Sequence, residues 1–349
     1  QKDVEELSVL AKADGITEMQ SYDHAYYAEK LRKQKFDFND EELKPYFQLD
    51  KVQEAVFGLA GKLFGLEFVE TTDIQKYHAD VKTYEVLEVG SQKSEDGSFK
   101  ALLYADYHPR KGKRAGAWMT SFKNQYIKNG ENHRPHISVV CNFTKPTAET
   151  PSLLTFNEVT TLFHEFGHAL HGVLANTQYP NLSGTSVKWD FVELPSQFLE
   201  NYCYEPEFLK TFAKHYQTGE VLPDEKIQKI EDSKNFMEGY QTLRQLSFGI
   251  LDMSYHAENV KVEDVKTFET ETIKATQVYP TLAETAVSTS FSHIFQGGYS
   301  AGYYSYKWAE VLDADAFQYF KENGVFNPLI SKKFKTLLES GGTKDPMEL

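Results

Sequence analysis

The stretch TLFHEFGHALHG, residues 161–172, limits what this chain can fold into more than any other segment. It sets three histidines and a glutamate among Leu162, Phe163, Phe166, Ala169 and Leu170. The apolar spacing predicts a helix. A helix with a face in the core carries unpartnered imidazole and carboxyl groups only at high cost. Residues four apart share a face, about one turn apart. His164 and His168 can therefore present two ring nitrogens to one ion, for which Zn²⁺ is the default. Glu165, beside the first histidine, can reach a water on the ion's open side and reads as a general base, not a ligand. Gly167 costs about 1 kcal/mol against alanine inside a helix, a cost that a close backbone approach would justify. His171 falls on the same stripe, but three ligands along one straight helix cannot converge tetrahedrally. It reads as a support for a ligand or as packing. The bland alternative is a chance HExxH in a chain with 11 histidines.

Two ligands require a third. SGTSVKWDFVELPSQFLENY follows, residues 183–202. A carboxylate between Val192 and Leu194 has little reason to be there unless it binds something. Glu193, Gln197 and Glu200 share a helix face. Glu193 is the third candidate ligand, and Glu200 a candidate acceptor for a ligand histidine's other N–H. The alternative is two solvated acids. A His₂Glu set with an open position suits hydrolysis rather than structure.

Around this site the pattern is mostly helical. Residues 2–14, 21–35 and 50–65 read as helices, with Tyr26, Tyr27 and Leu31 on one side of the second. Asp50 is a candidate N-cap and Gly65 a candidate stop for the third. Near residue 77 the pattern changes. YHADVKTYEVLEV and FKALLYADYHP alternate around the turn SEDGS, which predicts a β-hairpin, and HISVVCNF, residues 136–143, predicts a third strand. From Phe156 onward the helical pattern resumes, broken at Tyr179–Gly184, Gly219–Pro223 and Gln296–Gly302. The expectation is a mainly α fold with one small sheet just before the histidine helix, in segments 1–75 (helical), 76–150 (β-containing) and 151–349 (helical, zinc-binding).

A net charge of −14 argues against nucleic-acid or anionic-membrane partners, which need a basic footprint. Cys141 and Cys203 alone make no disulfide framework, so a reducing, cytoplasmic compartment is expected. No run of 18 apolar residues predicts a membrane span. The absent initiating Met suggests a fragment or a processed product.

HIFQGGYSAGYYSYKWAEV, residues 293–311, is the second unusual stretch. Its glycines resemble a phosphate loop only weakly, because no Lys–Ser/Thr pair follows. Peptide hydrolysis makes better sense of it, since phenol and imidazole donors stabilise an oxyanion. Tyr299, Tyr303 and Tyr306 stand at i, i+4, i+7 and could line a groove, with His293 before them. An aromatic core stripe is the competing reading.

FHEFGHALHG, SGTSVKWDFVELPSQFLEN and FSHIFQGGYSAGYYSYKWAEVLDADAF together resemble the M3 family of zinc metallopeptidases, and the match continues through RPHISVVCNFTKP, TLRQLSFGILDM and GGTKDPMEL. The likeness is strongest to the bacterial peptidyl-dipeptidase and oligopeptidase A branch. It implies a zincin-type catalytic helical domain, part of a two-lobed, channel-forming peptidase. It implies one Zn²⁺ on His164, His168 and Glu193, with Glu165 as base and proton shuttle. His293, Tyr299 and Tyr306, with Tyr303 nearby, would bind substrate and stabilise the transition state. The strand His136 to Asn142 would be the edge strand that pairs with an extended peptide. Family members are about twice as long, so the resemblance implies a C-terminal catalytic half, with the N-terminal half of the fold as a missing partner. The expected function is release of C-terminal dipeptides from short peptides. The alternatives are an oligopeptidase A-like endopeptidase, or a zinc- and peptide-binding module without turnover. Arg244 and Lys307 are possible grips for a substrate carboxylate, against the plainer reading of surface or structural charges.

Overall fold

The computed structural model of the protein describes residues 1–36, 39–89 and 98–349. Among these, the chain runs α1 (Lys2–Ala13), α2 (His24–Phe36), α3 (Asp40–Leu43), α4 (Leu49–Phe64), β1 (Leu66–Glu70), β2 (Lys82–Glu88), β3 (Phe99–Asp106), β4 (Trp118–Lys123), β5 (Tyr126–Lys128), β6 (Glu131–His133) and β7 (His136–Val140). It continues through α5 (Phe156–Leu174), α6 (Leu194–Glu200), α7 (Pro206–Phe212), α8 (Asp224–Ser233), α9 (Glu238–His256), α10 (Val265–Ile273), α11 (Val287–Ser290), α12 (Ser305–Asn323) and α13 (Pro328–Ser340). Helices, short 3₁₀ turns included, hold 53% of the described residues, so the mainly α expectation stands.

The elements group into two compact units. The first comprises Gln1–Asn39 and Asp224–Trp308, the second Asp40–Pro223 and Ala309–Leu349. In the first unit, Leu7, Ala11, Met19, Tyr27 and Leu31 share a core with Met237 and Tyr279. Tyr26 does not join them. It is 65% exposed, because it sits about 100° around the helix from Tyr27 while Leu31, four residues on, stays in line.

The second unit is built on a five-stranded sheet of order β1-β2-β3-β7-β4. β2 and β3 pair antiparallel, as the alternation predicts; the predicted turn falls largely outside the described residues. β3 and β7 are parallel and β7 and β4 antiparallel. The strand expected at an edge, β7, is therefore interior, and the free edge beyond it is β4. Four of the five residues of HISVV, Ser138 among them, are buried, as in strands covered on both faces.

α4 ends at Gly65 as expected, in the left-handed region at φ 71°, where glycine has no Cβ to clash. Its start differs. Gln48, not Asp50, is the N-cap, because the Leu49 N–H donates to Ser152 O at 2.9 Å and Gln48 bridges Leu153. This pairing holds Gln48 extended, so the helix begins directly after it. α4 packs through Phe57 against Phe68 of β1 and Phe166 of α5, with ring centroids 4.2 and 5.5 Å away. α5 lies over β7 and β4; a Cβ on Gly172 would meet Ile137 Cδ1 at 2.7 Å and Met119 Cε at 3.0 Å. Among the described residues no helix is long and apolar enough to cross a membrane, and Cys141 and Cys203 are buried and unpaired.

Candidate metal centre

α5 is fixed at both ends. At its start the Glu158 N–H donates to Thr155 Oγ1 at 3.1 Å and the Thr155 N–H to Glu158 Oε2 at 2.8 Å, a reciprocal capping box. At its end the Arg134 guanidinium donates to Val173 O at 2.6 Å and Ala175 O at 2.9 Å, and back to Lys100 O of β3 at 2.7 Å. A cation there satisfies terminal carbonyls and complements the helix dipole. Sequence reasoning passed over Arg134, because its partners are backbone oxygens distant in sequence.

The next segment reaches α5 because of Gly167. A Cβ at that position would stand 2.4 Å from Pro195 O and 2.5 Å from Ser196 Cα. The start of α6 thus lies directly against the α5 backbone, and Glu193, the N-cap of α6, is carried to the histidines. His164 Nε2 and His168 Nε2 each lie 3.2 Å from Glu193 Oε2, and one donor atom from each of the three residues lies within 4.8 Å of the others. Zn–N and Zn–O bonds of about 2.0–2.1 Å place tetrahedral ligand atoms roughly 3.3 Å apart. The two histidine–glutamate separations match that spacing, so these residues fit a zinc ion.

The supporting shell fits as well. His164 Nδ1 lies 2.6 Å from Glu200 Oε1, which makes Nδ1 the protonated nitrogen and leaves the Nε2 lone pair for an ion. His168 Nδ1 meets no acceptor among the described residues. Glu193 is fully buried and Ser196 Oγ donates to it at 3.1 Å. Burial would raise its carboxyl, but the charge of His168 and hydrogen bonds from both histidines hold it well below the ordinary range. Burial would lower His164, but bonds to Glu193 and Glu200 raise it well above the ordinary imidazole value. A pocket that holds the Glu193 carboxylate ionised and draws a proton to His164 attracts a divalent cation for the same electrostatic reason.

Glu165 is 7% exposed and stands outside the donor set. Burial raises its carboxyl, opposed by His164 and His168; this is the direction that suits a base working near neutral pH. His171 packs. It is fully buried, neither ring nitrogen has a partner among the described residues, and burial pushes the ring down to about 3.

His293, Tyr299, Tyr303 and Tyr306 belong to the first unit, apart from the donor set's unit. They do not share a helix face, since α12 begins only at Ser305. A turn gathers them instead. Tyr299 and Tyr306 stack at 5.2 Å, Tyr303 and Tyr306 lie 5.1 Å apart, and His293 lies 5.6 Å from Tyr299. Tyr303 is buried in a small apolar core with Phe248, Leu251 and Ile294. In the same unit, Arg244 lies over the Phe248 ring at 4.8 Å and Lys307 donates to Thr242 Oγ1 at 3.1 Å.

Comparison with known proteins gives one answer throughout. The sequence matches the family described as Peptidase family M3 over residues 1–349. It is 41% identical to oligopeptidase A of Escherichia coli (strain K12) over 355 residues, covering 100% of this chain and 51% of the relative. It is also 41% identical to dipeptidyl carboxypeptidase of the same strain, covering 98% of this chain and 50% of the relative. It is 35% identical to saccharolysin of Saccharomyces cerevisiae, covering 85% and 42% respectively. The chain spans about half the length of the relatives it matches.

Proposed function

This chain belongs to peptidase family M3, and on that premise we propose that it is a zinc-dependent metallopeptidase hydrolysing short peptides, with release of C-terminal dipeptides as its reaction. The observation that carries the reading is the donor set, with two imidazole nitrogens each 3.2 Å from one oxygen of the buried Glu193 and the Glu165 carboxyl, raised by burial, on the same helix. Three protein ligands and an open position are the mark of catalytic rather than structural zinc.

His164, His168 and Glu193 would hold the ion. Bound there, Zn²⁺ would supply a Lewis acid that polarises the scissile carbonyl and acidifies water. Glu200 keeps His164 in the ligating tautomer. Glu165 takes a proton from the attacking water as its oxygen bonds to the carbonyl carbon. It then passes that proton to the amide nitrogen as the C–N bond breaks. His293, Tyr299 and Tyr306, with Tyr303, would donate hydrogen bonds to the developing oxyanion and to the substrate; their donor chemistry and the family resemblance support the assignment. With β7 interior, the strand that would accept an extended peptide is β4, whose outer edge has no partner strand among the described residues and can pair by β-augmentation.

Partners in this reading are short peptides and the segment corresponding to the relatives' other half. The buried, unpaired cysteines suit a cytoplasmic site. The endopeptidase alternative has equal support, since both named bacterial relatives are 41% identical. A peptide with a free or an amidated C-terminus separates the two, because dipeptide release needs the free carboxylate.

The main test is turnover of an internally quenched peptide with and without chelator, beside Glu165→Gln. Turnover should vanish with chelator. In the variant it should fall at least ~100-fold with zinc content unchanged. Zinc lost together with activity would remove Glu165 from its role. Zinc and peptide bound with no product at all would leave a binding module.

A further inference from the structure

We propose that Asp252 is a positioning residue for the tyrosine-bearing turn, fixing its backbone through two amide hydrogen bonds. The inference rests on the reading above, in which these tyrosines meet the substrate. Asp252 is fully buried on α9. A buried carboxylate is costly unless satisfied, and the turn supplies the donors. The Ala301 N–H donates to Oδ1 and the Tyr303 N–H to Oδ2, each at 2.9 Å. His256 Nδ1 adds a contact to Oδ1 at 3.0 Å.

The turn needs such a clamp. Gly297 and Gly298 have φ of 76° and 89°, and Ala301 has φ 57°. Glycines leave the segment floppy when unheld, and alanine resists the left-handed region. Gln245, two turns before Asp252 on α9, supplies a second hold by accepting the Tyr303 O–H at 2.8 Å. One face of α9 thus sets the backbone of the turn, and through it the 5.2 Å stack of Tyr299 on Tyr306. Misplacing a catalytic group by an ångström costs on the order of 100-fold in rate. Asp252 therefore acts on the reaction through the rings, with no contact to metal or substrate required of it.

The test is Asp252→Asn in the zinc-loaded protein. Asparagine keeps one acceptor oxygen and turns an NH₂ toward the other amide, so one bond is lost and little volume changes. Amide exchange at Ala301 and Tyr303 should accelerate at least ~10-fold, with α5 amides and zinc content unchanged. kcat should fall roughly 10- to 100-fold with KM within about threefold. On a Tyr306→Phe background the same change should cost far less, because the residue acts through the ring. Unchanged exchange at 301 and 303, or rate losses that multiply fully with Tyr306→Phe, overturns the proposal. If Tyr299→Phe and Tyr306→Phe both leave turnover unchanged, the reading of the tyrosines is wrong and this inference goes with it. If they act and Asp252→Asn does not, only this inference is lost.

Discussion

Replacing Gly167 with alanine tests the geometry of the donor set directly, because two effects of opposite sign compete. Helix propensity favours alanine by about 1 kcal/mol, so on propensity alone the variant is more stable. Against this, the new Cβ would lie 2.4 Å from Pro195 O and 2.5 Å from Ser196 Cα. Ordinary contact lies near 3.5 Å, so α6 must withdraw by roughly 1 Å. Both opposing atoms are backbone, and no rotamer change relieves them. Overpacking of this kind costs about 1–3 kcal/mol. Pro195 is two residues from Glu193, so the withdrawal opens the 3.2 Å separations to His164 and His168, in a site whose distances hold within about 0.2 Å. Zinc affinity should fall by on the order of 100-fold, about 2.7 kcal/mol. Competition against a calibrated chelator measures it, with thermal melts of the metal-free protein as the stability control. A variant that binds zinc as tightly as the parent and melts higher would show that this close approach does not place Glu193.

Three further outcomes follow from contacts in the second unit. Glu200→Gln removes the carboxylate 2.6 Å from His164 Nδ1 and should weaken zinc binding about 10- to 100-fold, read by the same competition. Arg134→Met strips three carbonyls of their donor; urea unfolding should show a loss of about 3 kcal/mol, and a loss under 1 kcal/mol refutes the clamp. Burial would raise the Glu88 carboxyl, but bonds from Lys100 and Lys335 bring it to about 2. Its folded value lies below the unfolded one near 4.3, so its stabilisation is present above pH ~5 and lost as pH falls toward 2. Glu88→Gln should flatten that part of the stability curve, and a curve that superposes on the parent's excludes the linkage.

Much of the donor set could be read from the sequence because it is local. HExxH sits on an apolar periodic stretch, and Glu193 and Glu200 are acids amid apolar neighbours. Gly167 advertised a close approach by being a poor helix former in a strong helix. What escaped was set by distant partners. Gln48 became an N-cap through Ser152 and Leu153. Arg134 and Asp252 serve backbone groups that no local pattern reveals, although an aspartate in the apolar run FGILDM was a visible oddity. β4 escaped because WMTSFK is only half-buried, and the edge position that the resemblance implies for β7 belongs to β4. The tyrosine spacing suggested one helix face where glycines and Asp252 impose a turn.

The first unit joins two distant stretches of chain, and this bears on how the protein is made. Leu7, Met19, Tyr27 and Leu31 share a core with Met237 and Tyr279, which the ribosome delivers only after Asp40–Pro223, roughly 180 residues later. At about 5–20 residues per second, α1 and α2 wait on the order of ten seconds or more with those side chains uncovered by their later partners. The second unit can by then have formed its sheet. The core of the first unit closes only after that wait, and a nascent chain stalled before residue 237 should be a preferred client for chaperones that grip exposed apolar helices.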